Sequence, residues 1–250
     1  MNIKSFSLFF IILTLYALPA QAKEFNWKLW QEILSDRVQA GQIFNISSNL
    51  VNYKSLLKDP RIQKINLALE QYDPSKLQKN YKKSFYINAY NYYAVLMVLN
   101  NYPVDSIKDI GNIFFQVWDK EVATLNNKAI TLNDIEHQIL RPMGDPRIHF
   151  AIVCASMSCP SLSTQVYSAN NLDTQLNFQT KLFLNNNSKG LSIKNNELYV
   201  SSLFKWFKDD FIKSDGIINF IKQYKAIPNS IENLNYLDYN WQLNDLTAKK

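Results

Sequence analysis

Glycine is scarce in this chain: 250 residues carry 5. Neither GxGxxG nor the P-loop pattern occurs, which excludes the Gly-rich loops that cradle nucleotide phosphates. Cysteine and histidine are rarer still, two of each, so any thiol, imidazole or soft-metal chemistry must be built from four side chains. The formal charge is +6, yet the 27 basic residues are dispersed rather than gathered into a stripe. Dispersed charge attracts anions without specificity and argues against a nucleic-acid partner. Beyond the first 22 residues no apolar run is long enough to cross a bilayer. What the chain does have is 47% hydrophobic and 14% aromatic residues, ample for a packed core and incompatible with wholesale disorder.

The first 22 residues read as a secretory signal. Lys4 opens a weakly positive start, Phe6 to Leu18 is apolar, and Ala20-Gln21-Ala22 is a small-x-small cleavage site. The expected mature protein starts near Lys23, is periplasmic or secreted, and has no membrane span after signal cleavage. No cysteine follows the apolar stretch, so no lipid anchor is expected. Export would place Cys154 and Cys159 where a disulfide persists.

Periodicity predicts a helix over 27–40, an ambiguous stretch over 46–58, a helix opened by Asp59-Pro60, and a long helix over 77–101 with Ser75 as its N-cap. The middle of that long helix, Phe85 to Leu96, is apolar nearly all round, which requires burial at the centre of a domain. Its two amides, Asn88 and Asn91, must then find partners. A short buried segment is expected around Phe114-Phe115. Hairpins are expected at Asn126-Asn127-Lys128 and Lys194-Asn195-Asn196. Thr131 with Asp134 is an acidic variant of a capping box and predicts a helix from Leu132 to Arg141. Ile148 to Val153 reads as a buried strand, 169–184 as a helix, and Leu203–Phe207 and Gly216–Tyr224 as helical. With no repeat and no linker, the expectation is one mixed domain over 23–250, α/β or α+β, with a central buried helix packed on a small sheet.

All the thiols and imidazoles fall within residues 137–159. A thiol enzyme needs a cysteine ionised by a nearby imidazole, a group that orients the imidazole, and donors for an oxyanion. Cys154, at the end of the expected strand, is the candidate nucleophile and His137 its candidate partner. Glu136 would point about 100° away from His137 on a helix. Asn88 or Asn91 is a candidate orienting or donor group. Cys159 is a second candidate: with Pro160 at a helix N1 position it would sit at the N-cap, where the helix dipole favours a thiolate. His149 is the alternative base, or a satisfied structural histidine.

The motifs Phe85-Tyr86-Ile87-Asn88-Ala89-Tyr90-Asn91, Tyr102-Pro103-Val104-Asp105, Ile135-Glu136-His137 with Leu140-Arg141, and Asp145 to Pro160 resemble the domain of unknown function 547 family. So do Phe204-Lys205-Trp206-Phe207 with Asp210-Phe211, and Tyr236-Leu237 with Tyr239-Asn240-Trp241. The resemblance spans about 60–244. It implies an exported bacterial member and a papain- or transglutaminase-like thiol site. The plant branch of the family implies that Cys154 and Glu136-His137 weigh more than Cys159 or His149.

The expected function is a cysteine hydrolase or acyl transferase acting on an unknown peptide or amide substrate, without a cofactor. Two alternatives stand beside it. One is a noncatalytic envelope binding or scaffold domain with a structural Cys154–Cys159 disulfide. The other is a metal site drawing on His137, His149, Cys154 and Cys159.

Overall fold

The computed structural model describes residues 23–111, 116–231 and 233–248. The expected signal over 1–22 and the segment at Phe114-Phe115 lie outside the described residues. The chain opens with α1 (Lys28–Arg37), which ends where β1 (Val38–Ile43) begins. β1 pairs antiparallel with β2 (Ile46–Val51), so the helix expected over 27–40 stops at Arg37 and the ambiguous stretch over 46–58 opens as a strand. The short α2 (Tyr53–Leu56) and α3 (Pro60–Glu70) lead to α4 (Lys79–Leu99). Asp59 caps α3 as expected, its carboxylate accepting from the Arg61 N–H. Ser75 does not cap α4; Gln78 occupies that position without a side-chain bond.

α4 is buried continuously from Lys83 to Val98, and the largest hydrophobic cluster forms round it. Trp30, Tyr53, Tyr92 and Tyr93 are fully enclosed there. A helix apolar on every face has no solvent side to orient it, so its polar atoms set its register. Asn88 exchanges two bonds with the Tyr167 backbone, and Asn91 does the same with Ala151 O and Val153 N, at 2.8–2.9 Å.

Past α4, β3 (Glu121–Leu125) and β4 (Lys128–Thr131) form the second hairpin. α5 (Leu172–Leu184) precedes β5 (Leu191–Lys194), which pairs antiparallel with β6 (Glu197–Val200); β7 (Leu234–Tyr236) lies parallel to β6. Between them come α6 (Leu203–Trp206) and α7 (Ile217–Lys222). The fold is a mixed α+β domain, with its strands divided among three small sheets. All three hairpins turn on two residues of positive φ: Phe44-Asn45, Asn126-Asn127 and Asn195-Asn196. This left-handed pair fits the strand twist, and asparagine tolerates it when glycine is not supplied.

A second cluster packs Phe150, Phe183, Phe204, Phe211 and Phe220 against one another. The two clusters meet at Pro146–Phe150, where Ile148 belongs to the first and Phe150 to the second. This corrects the expected strand over 148–153: Pro146–Phe150 is a 3₁₀ turn. Asp145 caps it by accepting from the Arg147 N–H, with Pro146 in the first turn. Asn91 then takes the backbone groups of Ala151 and Val153 that a neighbouring strand would have taken. Lys83 and Arg147 both ion-pair with Asp145, and Arg147 reaches on to Asp173 of α5, so the turn is fixed to two helices.

Candidate active site

Cys154 follows this braced turn and precedes Ala155, which holds φ at 58°. A Cβ-bearing residue in the left-handed region costs about 1 kcal/mol and persists only where its surroundings enforce it. Here the enforcement comes from the C-terminal segment. Asn244 N donates to Ala155 O, Met157 N to Gln242 O, and Ser158 N to Asn240 O, at 2.8–3.2 Å. The same segment pairs with Val51 of β2 and with Asp105, so it straps the cysteine loop to the body of the domain.

The loop folds Cys159 back onto Cys154. The sulfurs are 2.7 Å apart as two free thiols, and the Cys154 N–H donates to Cys159 Sγ at 2.9 Å. The disulfide of the scaffold alternative is not formed in this structure. Cys159 is not an N-cap either: no helix begins at Pro160, and the chain runs on in irregular backbone. Cys154 Sγ also lies 3.2 Å from Ser156 Oγ and 3.4 Å from Tyr239 Oη. Burial works to raise the Cys154 thiol, but donation from Cys159, Ser156 and Tyr239 outweighs it, and the thiol lies below its ordinary range. Cys159 and Tyr239 are driven the other way, by burial first and then by Cys154, through its hydrogen bond and charge at Cys159 and chiefly its charge at Tyr239.

Both cysteines open onto a cavity of about 230 Å³. Tyr239, Trp241, Trp206 and Trp118 line it together with Glu136, His137 and His149. Thr131 and Asp134 exchange the reciprocal bonds of the expected capping box. The helix they start is π-wound over Asp134–Leu140. Such widened turns recur at functional sites, and this one brings both Glu136 and His137 to the cavity wall. Glu136 is buried, accepts from Tyr90 Oη at 3.1 Å, and is pushed up to about 7, chiefly by burial.

The histidines take opposite roles. His149 Nε2 is 2.7 Å from Asp210 Oδ2, and Asp210 also receives a two-pronged bond from Arg141. Burial works to raise Asp210, but the bonds from His149 and Arg141 hold it well below the usual carboxylate range. An ionised carboxylate only accepts, so the proton of His149 is on Nε2 and Nδ1 keeps its lone pair. That Nδ1 is buried without a hydrogen-bond partner, 3.9 Å from Glu136 Oε1. Burial also lowers the His149 pKa, leaving the ring neutral at pH 7, flat against Phe207 at 4.0 Å. In His137, Nδ1 accepts from the Arg141 guanidinium at 2.7 Å, so the ring offers an Nε2–H donor. Burial and then the Arg141 charge lower its pKa.

The cavity therefore gathers five of the seven residues singled out from sequence: Cys154, Cys159, Glu136, His137 and His149; Asn91 is not on its wall, its amide being spent on Ala151 and Val153. Asn88 is not on its wall; both ends of its amide are used by Tyr167. Among the described residues neither imidazole hydrogen-bonds Cys154, and no group of three or more His, Cys, Asp or Glu is arranged to hold a metal ion. Sequence reasoning missed the roles of Tyr90, Ser156, Asp210 and Tyr239. All four lie inside motifs that had already stood out.

Residues 74–184 match the family model described as a protein of unknown function, DUF547. The match takes in the cysteines, the histidines, Glu136 and Tyr90, and stops before Asp210 and Tyr239. No curated protein and no solved structure matches the chain.

Proposed function

For a chain that belongs to the DUF547 family, whose description carries no activity, we propose a function from the cavity: a thiol hydrolase or acyl transferase acting on amide bonds, with Cys154 as nucleophile. The observation that carries this reading is one wall holding a thiol in hydrogen-bond reach of Cys159, Ser156 and Tyr239, facing another that holds a buried, unpartnered imidazole nitrogen beside a carboxyl pushed up to about 7.

The chemistry balances with these groups. The Cys154 thiolate adds to the amide carbonyl, and the His137 Nε2–H and the Tyr239 hydroxyl are the donors for the developing oxyanion. As the C–N bond breaks, Glu136 delivers its proton to the leaving amine, giving a Cys154 thioester and a Glu136 carboxylate. Water or an acceptor amine then attacks the thioester. His149 Nδ1 takes the proton of the incoming nucleophile, Asp210 steadies the imidazolium, and the thiolate leaves. The proton passes from His149 to Glu136 and restores the starting state.

The reading includes export, which rests on the apolar stretch ending at Ala20-Gln21-Ala22. An intact mass lacking residues 1–22 supports it; a mature chain retaining them contradicts it.

An activated ester, p-nitrophenyl acetate, tests the acyl-transfer step. Peptide mass mapping should place one acetyl group on Cys154, released to water in wild type and retained longer in His149→Ala. Reduced, folded protein that never acetylates Cys154 defeats the proposal.

A further inference from the structure

Lys189, in the turn between α5 and β5, is 2% exposed. Its Nζ donates to Ser48 Oγ on β2 at 2.8 Å and to Met157 O at 3.2 Å, the latter in the middle of the Cys154–Cys159 loop. Among the described residues no carboxylate lies within ion-pair distance of it. A buried ammonium held only by neutral oxygens is expensive, and such a charge is normally either paired or lost.

The surroundings leave few candidates for a partner. β2 contributes only Ser48, and from the C-terminal strap Asp245 is already engaged by Tyr102 and Thr247. Tyr53 and Tyr239 are pushed well above their ordinary range, by burial first, and stay neutral. The cysteine loop brings the two thiols. Burial pushes Lys189 down to about 8, and the groups opposing that fall are Cys159 and then Cys154. The placement is enforced locally, since a Cβ on the following Gly190 would collide with the Phe183 carbonyl.

We propose that Lys189 is the buried counter-charge of the Cys154 thiolate, a positioning residue that supports the cysteine loop from behind and keeps the nucleophile ionised. This rests on the reading of Cys154 as nucleophile, but its test reads ionisation rather than acyl transfer. A working Lys189 in a protein that never acetylates would sink the function and spare this inference.

The measurement is the pH dependence of iodoacetamide alkylation of Cys154, mapped by peptide mass in reduced protein. Lys189→Met keeps chain length and removes charge. It should raise the alkylation midpoint by one pH unit or more, slowing labelling about tenfold below that midpoint. Lys189→Arg, which keeps the charge, should hold the midpoint near wild type. A folded Lys189→Met protein with an unchanged midpoint overturns the proposal, as does a wild-type midpoint at the ordinary thiol value.

Should Lys189→Met fail to fold, wild type supplies the reciprocal test. Coupling between two sites is mutual, so capping Cys154 with methyl methanethiosulfonate should lower the pH at which the Lys189 ¹³Cε resonance titrates. No movement on capping overturns the proposal equally.

Discussion

The two walls of the cavity are built differently. The thiol wall is a loop in strained backbone, strapped by the C-terminal segment and stabilised by hydroxyl and thiol donors round one sulfur. The proton wall is helical, and its groups are fixed by charge: Arg141 binds Asp210 and His137, and Asp210 binds His149. Donors round a sulfur make an anion, whereas burial opposite a satisfied carboxylate makes neutral acids and bases. The difference teaches that a nucleophile and its proton carriers need opposite treatment, and that one cavity supplies both without a direct bond between them.

Removing the nucleophile should have the largest effect. Cys154→Ala should reduce acetyl transfer from p-nitrophenyl acetate to the background rate, whereas Cys159→Ala should leave an acetylated Cys154 detectable by peptide mass. An acyl group appearing on Cys159 would reverse the roles.

The proton wall comes next. His149→Ala should slow release of the acetyl group by about 10²-fold, the usual size of a lost general base. His137→Ala, which removes only a donor, should act mainly on the acylation step. Equal effects of both on release would erase the distinction between the two rings.

Glu136 links this wall to stability. Its folded pKa of about 7 lies above its unfolded value, so the folded state keeps a proton that the unfolded state has released. Its contribution is fully present below pH 4.5 and is lost as pH rises to about 7, a fall of about 3 kcal/mol. Denaturant unfolding of wild type and Glu136→Gln across that window should show a decline that the variant lacks. Parallel curves would mean that Glu136 is not buried as a neutral acid.

Tyr239→Phe should have a smaller effect. It deletes the Tyr239 hydroxyl beside Cys154 Sγ and should raise the thiol's alkylation midpoint by about one unit while leaving the fold intact.

Much of the scaffold was legible because its signals were local. The capping pair Thr131/Asp134, the Asn-Asn turns and the all-round apolar α4 each act within a few residues. The strand expected over 148–153 failed because its deciding partner, Asn91, lies about 60 residues upstream, and apolar runs of six residues do not distinguish strand from buried turn. The clustering of Cys and His in the sequence is matched by a shared cavity that all four line. The pairing within it was not legible. Which nitrogen of His149 is free depends on Asp210, 61 residues away, and the donors of Cys154 include Tyr239, 85 residues away. Glu136 reached the cavity through π winding, which an assumed α-helix would not show.

The most direct measurement of the central claim is the alkylation profile of both cysteines in the same wild-type sample. Reduced protein is treated with iodoacetamide over a pH series, and each thiol is quantified by peptide mass. Cys154 should label with a midpoint clearly below that of a free cysteine, and Cys159 should remain unlabelled until well above it. A low midpoint at Cys159, or a common ordinary midpoint for both, would contradict the assignment of Cys154 as the activated nucleophile.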